Sequence, residues 1–131
     1  MRQRVEVKAP ATSGNLGPGF DCLGMALDIW NEVRVEAGPV GVTIEGEGTE
    51  TLERDGTNLV HRSMARVFQE TGAAMPELSV ACRNAIPLAR GLGSSSAAVV
   101  AGLVAGNALC GDALSTEELL RLAVEIEGHP D

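Results

Sequence analysis

Pro87-Leu88-Ala89-Arg90-Gly91-Leu92-Gly93-Ser94-Ser95-Ser96-Ala97-Ala98 is the stretch on which the reading of this chain turns. Before it, Leu78-Ser79-Val80-Ala81-Cys82 has the composition of a strand. After it, residues 94–110 form a nearly uncharged series of Ala, Val, Leu and Gly that predicts a helix buried on most sides. A strand, a glycine loop and a helix start gather unpaired backbone N–H groups and the positive end of a helix dipole around one point. An anion, above all a phosphate, suits that point. Gly91 and Gly93 can take positive φ and let phosphate oxygens approach without a Cβ in the way. The serines add hydroxyls, one of which could ligate Mg²⁺, an ion that takes hard oxygen ligands together with phosphate oxygens.

Other glycine loops fit less well. A Walker loop needs a lysine, and the sole lysine is Lys8. The dinucleotide fingerprint would want a glycine where Ser96 stands. Ser95 as a nucleophile activated by His129 lacks the G-x-S-x-G elbow. The competing structural reading, an ordinary helix start with serine caps, is weakened by three consecutive serines after two glycines.

Outward from the loop, Val5-Glu6-Val7-Lys8-Ala9 alternates as a strand that Pro10 should end. Residues 11–24 carry four glycines and a proline but also Leu16, Phe20 and Leu23, a mixture that suits an ordered binding loop. Residues 29–36 and 41–45 alternate again, and Gly38-Pro39 between them predicts a hairpin. Asn58 is placed to cap a helix bearing Val60, Met64, Val67 and Phe68 and ending at Gly72. Gly102 and Gly106 predict close contact between the long helix and a neighbour. Ser115-Thr116-Glu117-Glu118 has capping-box form before an apolar face of Leu119, Leu122, Ala123 and Ile126. The sum is an α+β fold without repeats.

The 131 residues, 44 % of them hydrophobic, suffice for one domain with one core. A formal net charge of −8 argues against a nucleic-acid groove or an anionic membrane surface, both of which call for clustered cations. No run of about 18 apolar residues is present to cross a bilayer. Three cysteines, Cys22, Cys82 and Cys110, with no secretory leader, fit reduced thiols in a cytoplasm. Cys22 reads as an apolar filler rather than a nucleophile, and Lys8 as a lone surface cation.

Three motifs taken together, Pro10-Ala11-Thr12-Ser13-Gly14-Asn15-Leu16-Gly17-Pro18-Gly19-Phe20-Asp21, the loop Gly91-Leu92-Gly93-Ser94-Ser95-Ser96-Ala97-Ala98, and Glu127-Gly128-His129-Pro130-Asp131, closely resemble the homoserine kinases. These belong to the superfamily of galactokinase, homoserine kinase, mevalonate kinase and phosphomevalonate kinase. The middle motif marks only the superfamily, and the outer two narrow the resemblance. Thr12 stands near where mevalonate-type members carry a lysine, and Gly14 replaces the alanine usual in the family.

The resemblance implies the N-terminal domain of that superfamily over residues 1–131, a mixed β-sheet with helices packed on one side in a ribosomal-protein-like βαβ fold. It also implies that the ferredoxin-like C-terminal domain is missing. That would leave the fragment inactive alone and expose apolar surface able to support a homodimer. The implied reaction is ATP-dependent phosphorylation of the side-chain hydroxyl of L-homoserine in threonine biosynthesis, with ATP and Mg²⁺ as cofactors. Pro87, Leu88, Ala89, Arg90, Gly91, Leu92, Gly93, Ser94, Ser95 and Ser96 would wrap the nucleotide phosphates, and Asn58 would lie near the adenine. Ser95 and Glu127 would hold the metal, with Glu125 as the competitor for the second place. Asn15, Asp21 and His129 would bind homoserine, a zwitterion whose ammonium needs acceptors. Each of the three also has a plain reading: Asp21 closing an Asx-turn, Asn15 capping a turn, His129 solvated. Two alternatives stand beside this one: a mevalonate-type kinase of the same superfamily, and a non-catalytic nucleotide-binding module.

Overall fold

In a computed structural model of the chain, residues 4–14, 24–88 and 92–128 are described. They form β1 (Arg4–Gly14), β2 (Gly24–Ala37), β3 (Gly41–Gly46), α1 (Leu59–Thr71), β4 (Leu78–Asn84), α2 (Ser94–Leu109) and α3 (Thr116–Glu127). The strands make one mixed sheet in the order β1-β2-β4-β3, and the helices cover one of its faces. This is the α+β architecture, with helices on one side, that the motifs imply.

Two expectations are corrected. Pro10 does not end the first strand. β1 continues to Gly14 because a bulge falls at the proline: Pro10 pairs with Trp30, but Ala11 pairs with Leu27. The register shift and the edge position of β1 absorb the missing donor. Nor do β2 and β3 form a hairpin. β4 lies between them, antiparallel to β2 and parallel to β3, the latter pairing made possible by the α1 crossover. The Gly38-Pro39 turn is real but folds over β4, where Ser79 Oγ donates to the Pro39 carbonyl at 2.6 Å and Gly38 N donates to Glu77 O at 3.1 Å.

Inward residues of the four strands, Val5, Ala9, Val33, Val35, Val42, Ile44, Val80 and Cys82, build the core with α1 and α2. Helix boundaries follow their caps. Asn58 Oδ1 accepts from Val60 N at 2.9 Å, and Gly72 ends α1 with φ 76°. Ser115 and Glu118 complete the capping box of α3. The glycine stripe of α2 lies on α1: a Cβ at Gly102 would stand 2.5 Å from the Val60 carbonyl oxygen, and one at Gly106 would stand 3.1 Å from Met64 Cα. Leu122 of α3 is fully buried against Val67, Val99 and Leu103.

At the rim, four charges close a ring between α1 and α3. Arg66 contacts Glu70 at 3.0 Å and Glu125 at 3.1 Å, and Arg121 contacts Glu70 at 2.6 Å and Glu125 at 2.9 Å. Single exposed pairs of this kind contribute little, but a closed ring fixes one orientation of the two helices. Hydrogen bonds from Arg121 and then Arg66 hold the Glu70 carboxyl below its ordinary value. The stabilisation is therefore complete above the ordinary glutamate range and is lost as pH falls through the lowered value. A Glu70→Gln variant is expected to melt below the wild type at neutral pH, with the gap closing on acidification. Thermal melts of both proteins across that range check this.

Candidate active site

The loop that precedes α2 is docked onto the end of β1. Thr12 N donates to the Leu92 carbonyl at 2.9 Å. Gly93 follows with φ 75°, and a Cβ on it would lie 2.3 Å from Thr12 Oγ1, so only glycine sits there without strain. Gly93 O then accepts from Ala97 N at 2.8 Å, which starts the helix. No side chain caps this helix, and its first turn holds no acidic residue. The backbone N–H groups of Ser94 and Ser95 donate to no group among the described residues, so their hydrogen-bonding capacity and the helix dipole stay available.

The last turn of α3 brings a carboxylate to this place. Ser96 Oγ donates to Glu127 at 2.9 Å from Oε1 and 3.2 Å from Oε2. Glu125, two residues earlier, faces the opposite way into the arginine ring. Ser95, the hydroxyl that the resemblance pairs with Glu127 on a metal, is exposed at the mouth of the neighbouring cavity. Among the described residues no group of three or more His, Cys, Asp or Glu side chains could by itself hold a metal ion. A hydroxyl and a single carboxylate nevertheless suit Mg²⁺, which keeps waters and phosphate oxygens as its other ligands.

The cavity, about 300 Å³, opens beside the loop and is mostly apolar. Leu52, Leu59, Val60 and Leu88 wall it on one side, and Ala97, Ala98 and Ala101 of α2 on another. Asn58 lines it too, with its amide held at both ends: Oδ1 caps α1, and Nδ2 donates to the Glu53 carbonyl at 2.8 Å. Cys82 also reaches this wall; burial pushes its thiol up to about 11, so it is neutral and no nucleophile. A second hollow of about 310 Å³ lies on the outer side of the sheet, among Lys8, Glu32, Glu45 and Arg83. Those charges pair across the strands, and none belongs to the loop.

Leu92, Gly93, Ser94, Ser95, Ser96 and Glu127 are thus brought together, with Leu88 and Asn58 at the adjacent cavity. Pro87 stands between Leu88 and the buried Ile86, just after β4. Asn15, Asp21, His129, Ala89, Arg90 and Gly91 lie outside the described residues. Three features of the site escaped the sequence reading. Thr12 was seen only as a motif position, yet it seats the loop. Ser96 rather than Ser95 meets Glu127. Asn31, a cavity-lining residue, occupies an inward strand position where Val33 and Val35 continue the pattern. An asparagine on an apolar face was the available signal.

A sequence profile described as the GHMP kinases N terminal domain matches residues 58–131. A homoserine kinase of Carboxydothermus hydrogenoformans is 52 % identical over 127 residues, covering 95 % of this chain and 42 % of that protein. One from Desulfitobacterium hafniense is 49 % identical over 128 residues, covering 97 % and 43 %. The crystal structure of a homoserine kinase from Cytophaga hutchinsonii superimposes with a TM-score of 0.81 at 35 % identity, over 97 % of this chain and 42 % of that one. The Methanococcus jannaschii mevalonate kinase gives a TM-score of 0.75 at 13 % identity, over 98 % and 48 %, a likeness of fold alone. The chain spans less than half the length of these relatives.

Proposed function

The chain belongs to the GHMP kinase family, and from that premise we propose that it forms the nucleotide-binding portion of a homoserine kinase, which transfers the γ-phosphoryl group of ATP to the side-chain hydroxyl of L-homoserine. The observation that carries the proposal is the pair of amides at Ser94 and Ser95, unspent among the described residues, with the Glu127 carboxylate held on Ser96 one residue further on. The amides and the dipole of α2 receive phosphate oxygens. A bare carboxylate at the same spot would repel them, so the site calls for a cation between Glu127 and the phosphates. Glu127 and a serine hydroxyl of the helix start, Ser95 as the resemblance implies or Ser96 as its contact with Glu127 suggests, are the groups that would hold Mg²⁺, whose charge, when bound, offsets that of the transferring phosphoryl group. The arginine ring occupies Glu125, which supports Glu127 in this role. The apolar cavity beside the loop takes the base.

Identity near 50 % to homoserine kinases over almost the whole chain supports homoserine as the acceptor. Asn15, Asp21 and His129 are the residues proposed to hold it, on the strength of the motifs. No helix among the described residues is long and apolar enough to cross a membrane; a cytoplasmic location is proposed. Positioning and charge stabilisation supply most of such a reaction, so a dedicated strong base is not required of this portion.

Calorimetric titration tests the reading. Mg-ATP is expected to bind the chain, and Glu127→Gln, which keeps an acceptor for Ser96 but removes the charge, should cut the enhancement of ATP binding by Mg²⁺ about tenfold. Absence of Mg-ATP binding by the wild type, or an unchanged Mg²⁺ effect in the variant, would count against it.

A further inference from the structure

Asn31 is 6 % exposed, and its side-chain oxygen accepts two backbone N–H groups, those of Ala85 and Ile86, each at 2.9 Å. The ladder between β2 and β4 has its last partners at Glu32 and Arg83, so the Asn31 carbonyl extends the pairing into the segment that leads to the phosphate loop. Because both partners are donors, the atom facing them must be the amide oxygen, and the NH₂ group is directed elsewhere. Among the described residues that NH₂ group has no hydrogen-bond partner, and Asn31 lines the apolar cavity. The two ring nitrogens of His61 are the sealed, unpartnered side-chain atoms among the described residues; the Asn31 nitrogen is not one of them, and Asn31 lines the cavity.

We propose that Asn31 is a two-ended specificity residue: its carbonyl positions the root of the phosphate loop, and its NH₂ group donates to a ring nitrogen of the bound purine. The inference rests on the nucleotide reading given above. An unspent donor in a mostly apolar wall calls for an uncharged acceptor, and a heteroaromatic nitrogen is the acceptor that such a cavity admits without stranding a charge. The neighbouring amide of Asn58 spends its oxygen on Val60 N and one N–H on the Glu53 carbonyl, whereas the Asn31 NH₂ group has neither of its two donors spent among the described residues.

The two ends can be separated. Asn31→Asp keeps an acceptor for Ala85 and Ile86 but loses the donor, whereas Asn31→Leu loses both. The probes are Mg-ATP and Mg-tripolyphosphate, titrated calorimetrically into the whole chain. Asn31→Asp is expected to bind Mg-ATP about tenfold more weakly while its affinity for tripolyphosphate changes less than about threefold. Asn31→Leu is expected to weaken both, because the loop loses its anchor. Equal effects of Asn31→Asp on the two probes, or no effect on either, overturn the proposal while leaving the nucleotide reading in place. A wild type that binds neither probe overturns both. Should the aspartate variant not fold, the wild type still decides: one among 1-, 3- and 7-deaza-ATP should bind about tenfold more weakly than ATP, and equal binding of all three refutes the donor role.

Discussion

Replacing Gly93 with valine is expected to weaken Mg-ATP binding at least about a hundredfold while leaving the protein folded. A β-carbon there would come within 2.3 Å of Thr12 Oγ1, and the backbone holds φ 75°, a region that a β-branched residue scarcely enters. The chain yields by turning the Thr12 hydroxyl aside or by lifting the loop from Thr12, and the second breaks the bond between Thr12 N and the Leu92 carbonyl. Such a movement turns the amides of Ser94 and Ser95 away from their point of convergence. Most of the core is spared because Val5, Val35 and Val80 of the sheet and Met64 and Phe68 of α1 belong to other elements, with Leu92 as the loop residue packed against them. Calorimetry and a thermal melt on the same sample separate the two effects. Wild-type affinity in Gly93→Val would refute the proposal. A milder pair sharpens the test: Gly93→Ala should lose part of the affinity, and adding Thr12→Ala, which removes the obstructing hydroxyl, should restore some of it.

Replacing Gly102 with valine should act on stability. The expected loss is about 3 kcal/mol or more, seen as a fall in melting temperature on the order of 10 °C. The first added carbon would meet the Val60 carbonyl oxygen at 2.5 Å and Ser63 Cβ at 2.7 Å, both parts of the α1 body rather than the far ends of flexible side chains. A better helix former returns less than about 1 kcal/mol, so crowding wins. Val104→Ala, on the exposed side of the same helix, serves as the control and should change stability by about half a kcal/mol or less. Equal melting of Gly102→Val and wild type would show that α1 and α2 can part without cost.

What the sequence revealed divides along the range of the forces involved. Asn58, Gly72, Ser115 and Glu118 act on backbone groups within four residues of themselves, and the helices they bound were legible to the residue. Gly102 and Gly106 were legible as a packing stripe because two absent side chains one turn apart have few other uses. The insertion of β4 between β2 and β3 was not, since strand partners are chosen by segments some 40 residues apart that leave no local mark. The bulge at Pro10 was hidden for the same reason: whether a proline stops a strand depends on what lies opposite. In the site, the loop itself was readable from its glycines and serines. The contact between Ser96 and Glu127 was not, because one residue of helical phase, about 100° of rotation, decides which hydroxyl faces α3.

The placement of β4 bears on how the chain is assembled. When residues up to 77 have been made, the segments of β2 and β3 are both present but the strand that joins them is not, and β3 has no neighbour to bind. Only after the α1 crossover is complete can residues 78–84 enter between them and join the two halves, closing loops of long span late rather than early. Until then the nascent sheet carries two open edges, and a nearby copy of the same segment could pair there in place of the chain's own strand.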